Sequence, residues 1–325
     1  MKEIIRIDSN LPKDLLRIEL FLSNVCNYNC WYCFPGYHEG NVPWPKFEKV
    51  KNSLEHIIDY YKTKGNKKTI HLHIIGGEPT LWREFGDFVK HFSEVHKCII
   101  SMSSNGSRTL RWWEQYGGYV DHTMLSCHHE RVDPKHISDV ADILYTKNKT
   151  VNGMVLMDPT AWDKCISIVE ELKKSKYEWP ITATEVHNDK LPYTKAQKEY
   201  LSNSLKRWPN EKYWLGAEKL PRNDPTIIFS DKTEQTVPRN WLSLNGKNIF
   251  TDWECNIGID TFFIDKNGDI RGGCGQPLYN LGTFYNIYDE DFIDKFKPYL
   301  VPTICKKTGI CDCQPETNAR KQRLL

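Results

Sequence analysis

Residues 26–33 read Cys-Asn-Tyr-Asn-Cys-Trp-Tyr-Cys, and they closely follow an apolar run at residues 16–22 that predicts a buried strand. The three cysteines, Cys26, Cys30 and Cys33, are spaced C-x3-C-x2-C. Three thiolates on one short loop can bind three irons of a cubane iron–sulfur cluster. The fourth iron is then left without a protein ligand, and such an open position is typical of a catalytic metal site.

Two other interpretations of these cysteines have less support from the sequence. A structural zinc site usually has four protein ligands, and this motif supplies three. A disulfide framework requires an oxidising compartment, whereas residues 1–16 are charged and lack the apolar core of a secretory signal. We therefore expect the protein in the reducing cytoplasm, where its 11 cysteines indicate metal binding rather than disulfides.

Composition limits the class of protein. A chain of 325 residues is long enough for one large domain and a small one. The formal net charge of +2 gives no broad basic field, which argues against a dedicated nucleic-acid binder. No apolar run approaches 18 residues, so the sequence predicts no transmembrane helix.

Short β-rich runs alternate with amphipathic helices from residue 16 to about residue 205. In the first helix, apolar residues recur at a helical spacing from Phe47 to Tyr61 and form one stripe. Six β–α units in series predict an α/β fold, with a parallel sheet and helices outside it. The predicted strands are residues 17–22, 69–75, 98–102, 123–126, 151–157 and 181–186.

A second motif, Gly76-Gly77-Glu78-Pro79-Thr80, directly follows the second predicted strand. Reactive groups of barrel-like parallel sheets lie at the C-terminal ends of strands, and both motifs fall there. Together, C-x3-C-x-aromatic-C after the first strand and G-G-E-P after the second resemble the radical S-adenosylmethionine (radical SAM) superfamily. The resemblance implies a partial (β/α)6 TIM-like barrel and a [4Fe-4S] cluster whose open iron binds S-adenosylmethionine.

The resemblance also implies an activity. An electron delivered by a reductase, a flavodoxin or a ferredoxin would reach the cluster and cleave S-adenosylmethionine. The resulting 5′-deoxyadenosyl radical would then abstract a hydrogen atom from the substrate. The cofactors carry such chemistry, while the protein positions them and keeps the cavity dry.

The second motif is predicted to bind the cofactor. Gly76 and Gly77 let the backbone come close to a ligand, although two glycines can also form a simple tight turn. Glu78 can accept a charge-assisted hydrogen bond from the methionyl ammonium. Pro79 stiffens the turn.

Further cofactor contacts follow from the resemblance. It places Tyr32 against the adenine and Ser126 near the ribose or the carboxylate. Ser104 and Asn105 follow the third predicted strand and are candidates for polar contacts to the cofactor. Ordinary turn chemistry explains the same Asn-Gly pair equally well.

Cys127 and Glu185 are the candidate catalytic residues. A thiol at a strand end can return a hydrogen atom to a substrate radical, and the neighbouring His128 and Glu130 can move a proton. The simpler interpretation is a buried, inert thiol beside solvated loop residues. Glu185 and His187 alternate along the sixth predicted strand and are therefore expected on one face.

The pattern changes from residue 255 onward. Residues 261–264 and 269–272 flank Asp-Lys-Asn-Gly, which predicts a hairpin. With cysteines on both sides, this segment resembles the twitch domain, a shorter relative of the SPASM domain, which holds an auxiliary [4Fe-4S] cluster. The spacing C-x12-G-x5-C has one residue more after the glycine than is usual, and C-x5-C-x-C also departs from the family pattern. The candidate ligands are Cys255, Cys274 and Cys305, with Cys311 and Cys313 as alternatives.

A zinc site on the hairpin is the other interpretation of these cysteines. The predicted organisation is a barrel over residues 1–207, a connector over 208–254 that can cover the barrel mouth, and a small hairpin-plus-helix cluster domain over 255–325.

The resemblance leaves the substrate open. Twitch and SPASM enzymes mostly modify peptide and protein side chains, and others oxidise small molecules, so a peptide or a small molecule is the first hypothesis. Only about 16 residues precede the first predicted strand, which leaves no room for an N-terminal peptide-recognition domain. The alternatives are modification of RNA or a nucleotide, and a non-catalytic metal-binding protein. The intact cysteine and Gly-Gly-Glu motifs count against the last.

Overall fold

The computed structural model describes residues 2–33, 36–186, 192–206, 224–237, 241–272, 285–298, 300–311 and 319–324. The chain divides into two compact units. The first comprises Met1–Leu22, Pro45–His73 and Leu220–Leu325, and the second comprises Ser23–Trp44 and Ile74–Lys219. These units do not coincide with the predicted boundaries at residues 207/208 and 254/255, because both ends of the chain contribute to the first unit.

The second unit carries most of the predicted parallel sheet. Its strands are the end of β3 (Thr69–Ile75), then β4 (Ile99–Ser104), β5 (His122–His128), β6 (Thr150–Met157) and β7 (Ile181–Glu185). They lie side by side in that order, and the pairs from β4 to β7 are parallel. The helices of this unit are α2 (Phe85–Glu94), α3 (Leu110–Tyr116), α4 (Pro134–Thr146), α5 (Trp162–Leu172) and α6 (Lys195–Lys206).

Local chemistry explains where α4 begins. The side chain of Asp133 accepts hydrogen bonds from the backbone N–H groups of Lys135 and His136, and Pro134 occupies the first position of α4. Both features favour a helix start. The buried residues of α5 recur at a helical spacing and form one packed face; they are Cys165, Ile168, Val169 and Leu172.

The first unit contains β2 (Leu15–Phe21), α1 (Phe47–Thr63) and the start of β3. Beside β2 lies β11 (Thr261–Ile264), which pairs with it in parallel, and β12 (Asp269–Arg271) pairs antiparallel with β11. The predicted hairpin is therefore confirmed. Its turn is held by the Asp265 carboxylate, which accepts the N–H groups of Asn267 and Asp269 at 2.9 and 3.1 Å. The sheet ends with β13 (Tyr285–Asn286), and a short helix, α8 (Phe292–Lys295), follows.

A second sheet of the first unit was not predicted. Its six strands, in spatial order, are β14 (Thr303–Ile304), β10 (Trp253–Cys255), β15 (Lys321–Arg323), β1 (Ile4–Asp8), β8 (Thr226–Phe229) and β9 (Glu234–Thr236). Much of the predicted connector, together with α7 (Trp241–Leu244), therefore belongs to a folded unit. These strands are short, and β9 is exposed along its whole length. Apolar alternation, the usual signal of a strand, is consequently missing from the sequence.

The fold is thus an α/β fold with a mixed, largely parallel sheet and helices, in keeping with a partial TIM-like barrel. Among the described residues β7 has β6 as its only neighbouring strand, so the sheet does not close into a barrel. No helix in the described part of the chain combines the length and apolar character needed to cross a bilayer.

Candidate cluster and cofactor site

Two backbone hydrogen bonds join the cysteine loop to the Gly-Gly-Glu segment. The N–H of Gly77 donates to the carbonyl of Ser23 at 3.1 Å, and the N–H of Glu78 donates to the carbonyl of Val25 at 2.9 Å. Gly76 adopts a φ of 148°, a conformation that favours glycine. A Cβ atom on Gly77 would lie 2.2 Å from the carbonyl oxygen of Val25. The second glycine is therefore required by the close approach of the cysteine loop itself.

We expect Gly77→Ala to destabilise the protein by about 3 kcal/mol, because the new methyl group overlaps backbone rather than a movable side chain. The measurement is the thermal or urea unfolding of the apo protein. Gly118→Ala is the matched control, since its Cβ would make an ordinary contact at 3.6 Å with Lys147. Equal stability of the two variants would contradict the close packing of this loop.

The three thiols belong to one short loop, and a tight turn joins Cys30 to Cys33. The N–H of Cys33 donates to the carbonyl of Cys30 at 3.0 Å, and Cys30 is 3% exposed, whereas Cys26 and Cys33 are half-buried. Burial raises the pKa of Cys26, and it raises the pKa of Cys30 to about 12, with the nearby Glu130 and the two other cysteines adding to the shift of Cys30. Thiols that destabilise one another's charge fit a site for a positively charged metal centre, which favours their ionised form.

Glu78 is completely buried, and burial raises the pKa of its carboxyl group. Its Oε1 accepts from the N–H and the hydroxyl of Thr80 and from the hydroxyl of Ser104, at 3.1, 2.6 and 2.8 Å. Its Oε2 accepts from the N–H of Asn105 at 2.6 Å. Glu78 thus organises the turn after β4. A further hydrogen bond from the methionyl ammonium to the Glu78 carboxylate stays a prediction.

Asn105 continues this network toward the cysteine loop. Its Nδ2 donates to Oδ1 of Asn27 at 2.9 Å, and Nδ2 of Asn27 donates to the hydroxyl of Ser107, also at 2.9 Å. Ser104 also accepts the N–H of Gly106 at 3.0 Å. Ser104 and Asn105 therefore hold the site together, which sequence reasoning did not foresee. Their contact to the cofactor remains a prediction, as does that of Pro79, which begins a short 3-10 turn after Glu78.

The sheet of the second unit has two different faces. Along β5, Thr123, Leu125 and Cys127 are buried, and Leu125 faces Ile137 of α4 across Gly106. The other face is partly exposed, and we call it the open face. Its partly exposed residues on β4 to β7, matched by strand register, are Ser103, His122, Met124, Ser126, His128, Asn152, Met154, Leu156, Thr182 and Thr184.

The open face separates the candidates on β5. Ser126 lies on it, as a ligand-contacting residue requires. Cys127 lies on the opposite face, is 0% exposed, and has a pKa raised to about 12 by burial. A buried, inert thiol accounts for these observations of Cys127, and its catalytic role stays a prediction. Glu185 is exposed at the end of β7, and His187 falls outside the described residues.

Tyr32 is 8% exposed, and its hydroxyl lies 3.1 Å from Nδ1 of His128. The two rings are stacked at a centroid distance of 5.8 Å. Burial raises the pKa of Tyr32. Burial also lowers the pKa of His128 to about 4, and the neighbouring His129 is the second cause of that lowering. His128 is therefore neutral at pH 7 and positions Tyr32. The predicted contact of Tyr32 with adenine is compatible with this placement and stays a prediction.

The C-terminal cysteines can be followed only in part. Cys274 and Cys313 lie outside the described residues. In β10, Cys255 pairs with Thr303, and the N–H of Cys305 donates to the carbonyl of Trp253 at 2.8 Å. Cys255 and Cys305 are thus diagonal neighbours on one face of the sheet, within reach of a common ligand. Burial raises the pKa of Cys255 to about 11; nearby Lys321 opposes this shift, and Cys311 and Cys305 add to it. Three of the five candidates therefore lie close together.

Comparison with known proteins places these features in a family context. Residues 20–142 match the family model described as "Radical SAM superfamily", and the matched range includes both motifs. GTP 3′,8-cyclase of Haemophilus ducreyi is 33% identical over 106 residues, which cover 31% of this chain and 29% of that protein. The family model and this relative together support the similarity of this chain to the radical SAM superfamily. Members of this superfamily are enzymes.

The similarity to curated relatives is partial. GTP 3′,8-cyclase of Vibrio cholerae is 23% identical over 139 residues, which cover 42% of this chain and 40% of the relative. The matches thus span less than half the length of these relatives. Among solved structures, Streptococcus suis SuiB bound to precursor peptide SuiA gives a TM-score of 0.52 at 15% identity, covering 86% of this chain and 64% of SuiB. At this identity the structural match supports the radical SAM α/β fold alone.

Proposed function

We propose that this chain is a radical SAM enzyme that holds a [4Fe-4S] cluster through Cys26, Cys30 and Cys33. The observation that carries the proposal is the pair of backbone hydrogen bonds that join the cysteine loop to Gly77 and Glu78. A ligand bound at the open iron would lie beside the Gly-Gly-Glu segment. When bound, the cluster and S-adenosylmethionine supply a radical that abstracts hydrogen from a substrate.

The chain's own residues bind and shield these groups. Glu78 fixes the turn that carries Ser104 and Asn105, and Tyr32 covers the buried Cys30 within a cluster of apolar and aromatic side chains. Ser126 and its neighbours on the open face provide hydroxyl groups to a ligand. We further propose that a reductase, a flavodoxin or a ferredoxin delivers the electron.

For the substrate we propose a peptide side chain or an uncharged part of a small molecule. The open face of β4 to β7, as the structure describes it, carries hydroxyl, amide, thioether and imidazole groups but no lysine or arginine. A nucleoside triphosphate normally binds to cationic side chains, which these strands do not offer. The nucleotide hypothesis, which the GTP 3′,8-cyclases would suggest, is therefore the second choice.

We also propose an auxiliary [4Fe-4S] cluster in a twitch-like domain over residues 255–325. Cys255, Cys305 and Cys311 are its described candidate ligands, with Cys274 and Cys313 as the others. Their mutual electrostatic influence supports a shared site. An auxiliary cluster can accept the second electron of an oxidation.

The proposal is tested by anaerobic reconstitution with iron and sulfide, followed by reduction with dithionite in the presence of S-adenosylmethionine. We expect 5′-deoxyadenosine by chromatography, and we expect added GTP to remain unconsumed. A protein that carries four or more irons and forms no 5′-deoxyadenosine would be the non-catalytic metal-binding protein. Consumption of GTP with formation of a cyclised nucleotide would instead favour the second choice.

A further inference from the structure

Trp31 lies between Cys30 and Cys33, two of the proposed cluster ligands, and a buried side chain holds it in place. Trp31 is 44% exposed, yet its indole N–H donates to Oδ2 of Asp158 at 2.9 Å. Asp158 is 1% exposed and follows the last residue of β6. The contact therefore ties an otherwise solvent-facing ring of the cysteine loop to a fixed, buried carboxylate 127 residues further along the chain.

The carboxylate of Asp158 is built into its surroundings. Its Oδ1 accepts the N–H and the hydroxyl of Thr160 at 2.7 and 2.6 Å and thereby caps a short 3-10 turn. Its Oδ2 accepts from Trp31, while Nε2 of His129 lies farther away at 3.8 Å. A hydrogen bond to a buried, charged acceptor is stronger than one between two neutral groups. The orientation of the Trp31 ring is therefore fixed by this hydrogen bond together with the edge-to-face contact of the ring with Tyr32, at a centroid distance of 5.4 Å.

We propose that Asp158 is a positioning residue of the cluster site, which acts through Trp31 on the segment between Cys30 and Cys33. The inference deepens the proposed function and rests on it, because it assumes that the loop binds a cluster. Asp158 orders the loop before iron arrives, so less conformational freedom is lost when the cluster forms. Groups that orient metal ligands in this way typically change metal affinity by about 10- to 100-fold.

The test compares Trp31→Phe with Trp112→Phe, an equivalent substitution in α3 away from the loop. Both proteins are reconstituted anaerobically, and the rate of iron release to a chelator is measured. Trp31→Phe keeps an aromatic ring and removes the N–H donor, so we expect iron release at least about tenfold faster than in wild type. We expect Trp112→Phe to release iron as slowly as wild type.

Two further measurements separate positioning from general loss of structure. The apo form of Trp31→Phe should melt within a few degrees of wild type, and the electron paramagnetic resonance spectrum of its reduced cluster should change. Asp158→Ala should accelerate iron release as well, and the double variant should be no faster than the faster single variant, because both changes break one bond.

The outcomes are distinguishable from failure of the proposed function. If wild-type protein takes up no iron after reconstitution, the proposed function fails. If wild type holds its cluster and Trp31→Phe holds it equally well with an unchanged spectrum, the inference about Asp158 alone is overturned. Additive effects in the double variant would likewise contradict it, since the two side chains would then act independently.

Discussion

Replacing Cys26, Cys30 and Cys33 together with alanine is expected to remove about four irons per chain and to abolish formation of 5′-deoxyadenosine. The loop offers these three thiols within eight residues, and it contains no other cysteine that could replace them. The measurement is the iron content after anaerobic reconstitution, together with S-adenosylmethionine cleavage under dithionite.

Cys98→Ala is the matched control for this experiment. Cys98 is also buried, at 4% exposure, but it precedes β4 and belongs to neither proposed cluster. Its removal should leave both iron content and cleavage unchanged. An unchanged iron content in the triple variant would mean that the N-terminal cysteines bind no cluster, whatever the family match of residues 20–142 suggests.

The parts of the fold that follow from sequence are those with strong local signals. The sequence predicts the end of β3 because an apolar strand and the glycine pair of its turn are adjacent in the chain. The hairpin of β11 and β12 was predicted from its Asp-Lys-Asn-Gly turn, in which Gly268 has a φ of 89°. In each case the deciding residues lie within a few positions of one another.

The parts that were missed depend on distant partners. The strand β1 pairs with β8 and β15, which lie more than 200 residues away, and its own sequence has too little alternation to predict a strand. The contacts of Trp31 with Asp158 and of Tyr32 with His128 also join residues that are far apart in sequence. A spacing motif identifies the ligands of a site, but the side chains that orient them become visible only in the folded chain.

Replacing Cys255, Cys305 and Cys311 together with alanine is expected to lower the iron content of the reconstituted protein by about half. If wild type reconstitutes with about eight irons, as two cubane clusters require, this variant should retain about four. The register of β10 places Cys255 and Cys305 on one face of the sheet, and Cys311 contributes to the raised pKa of Cys255. Removing all three leaves at most Cys274 and Cys313, too few thiolates to hold a cubane cluster.

The same variant decides between iron and zinc at this site, because both metals accept thiolate ligands. Metal analysis should therefore count zinc as well as iron. A loss of about four irons with no change in zinc supports the auxiliary cluster. A loss of one zinc with unchanged iron would make the hairpin a structural zinc site. Cleavage of S-adenosylmethionine should survive in either case, since that chemistry belongs to the N-terminal loop, and its loss would show instead that the two sites depend on each other.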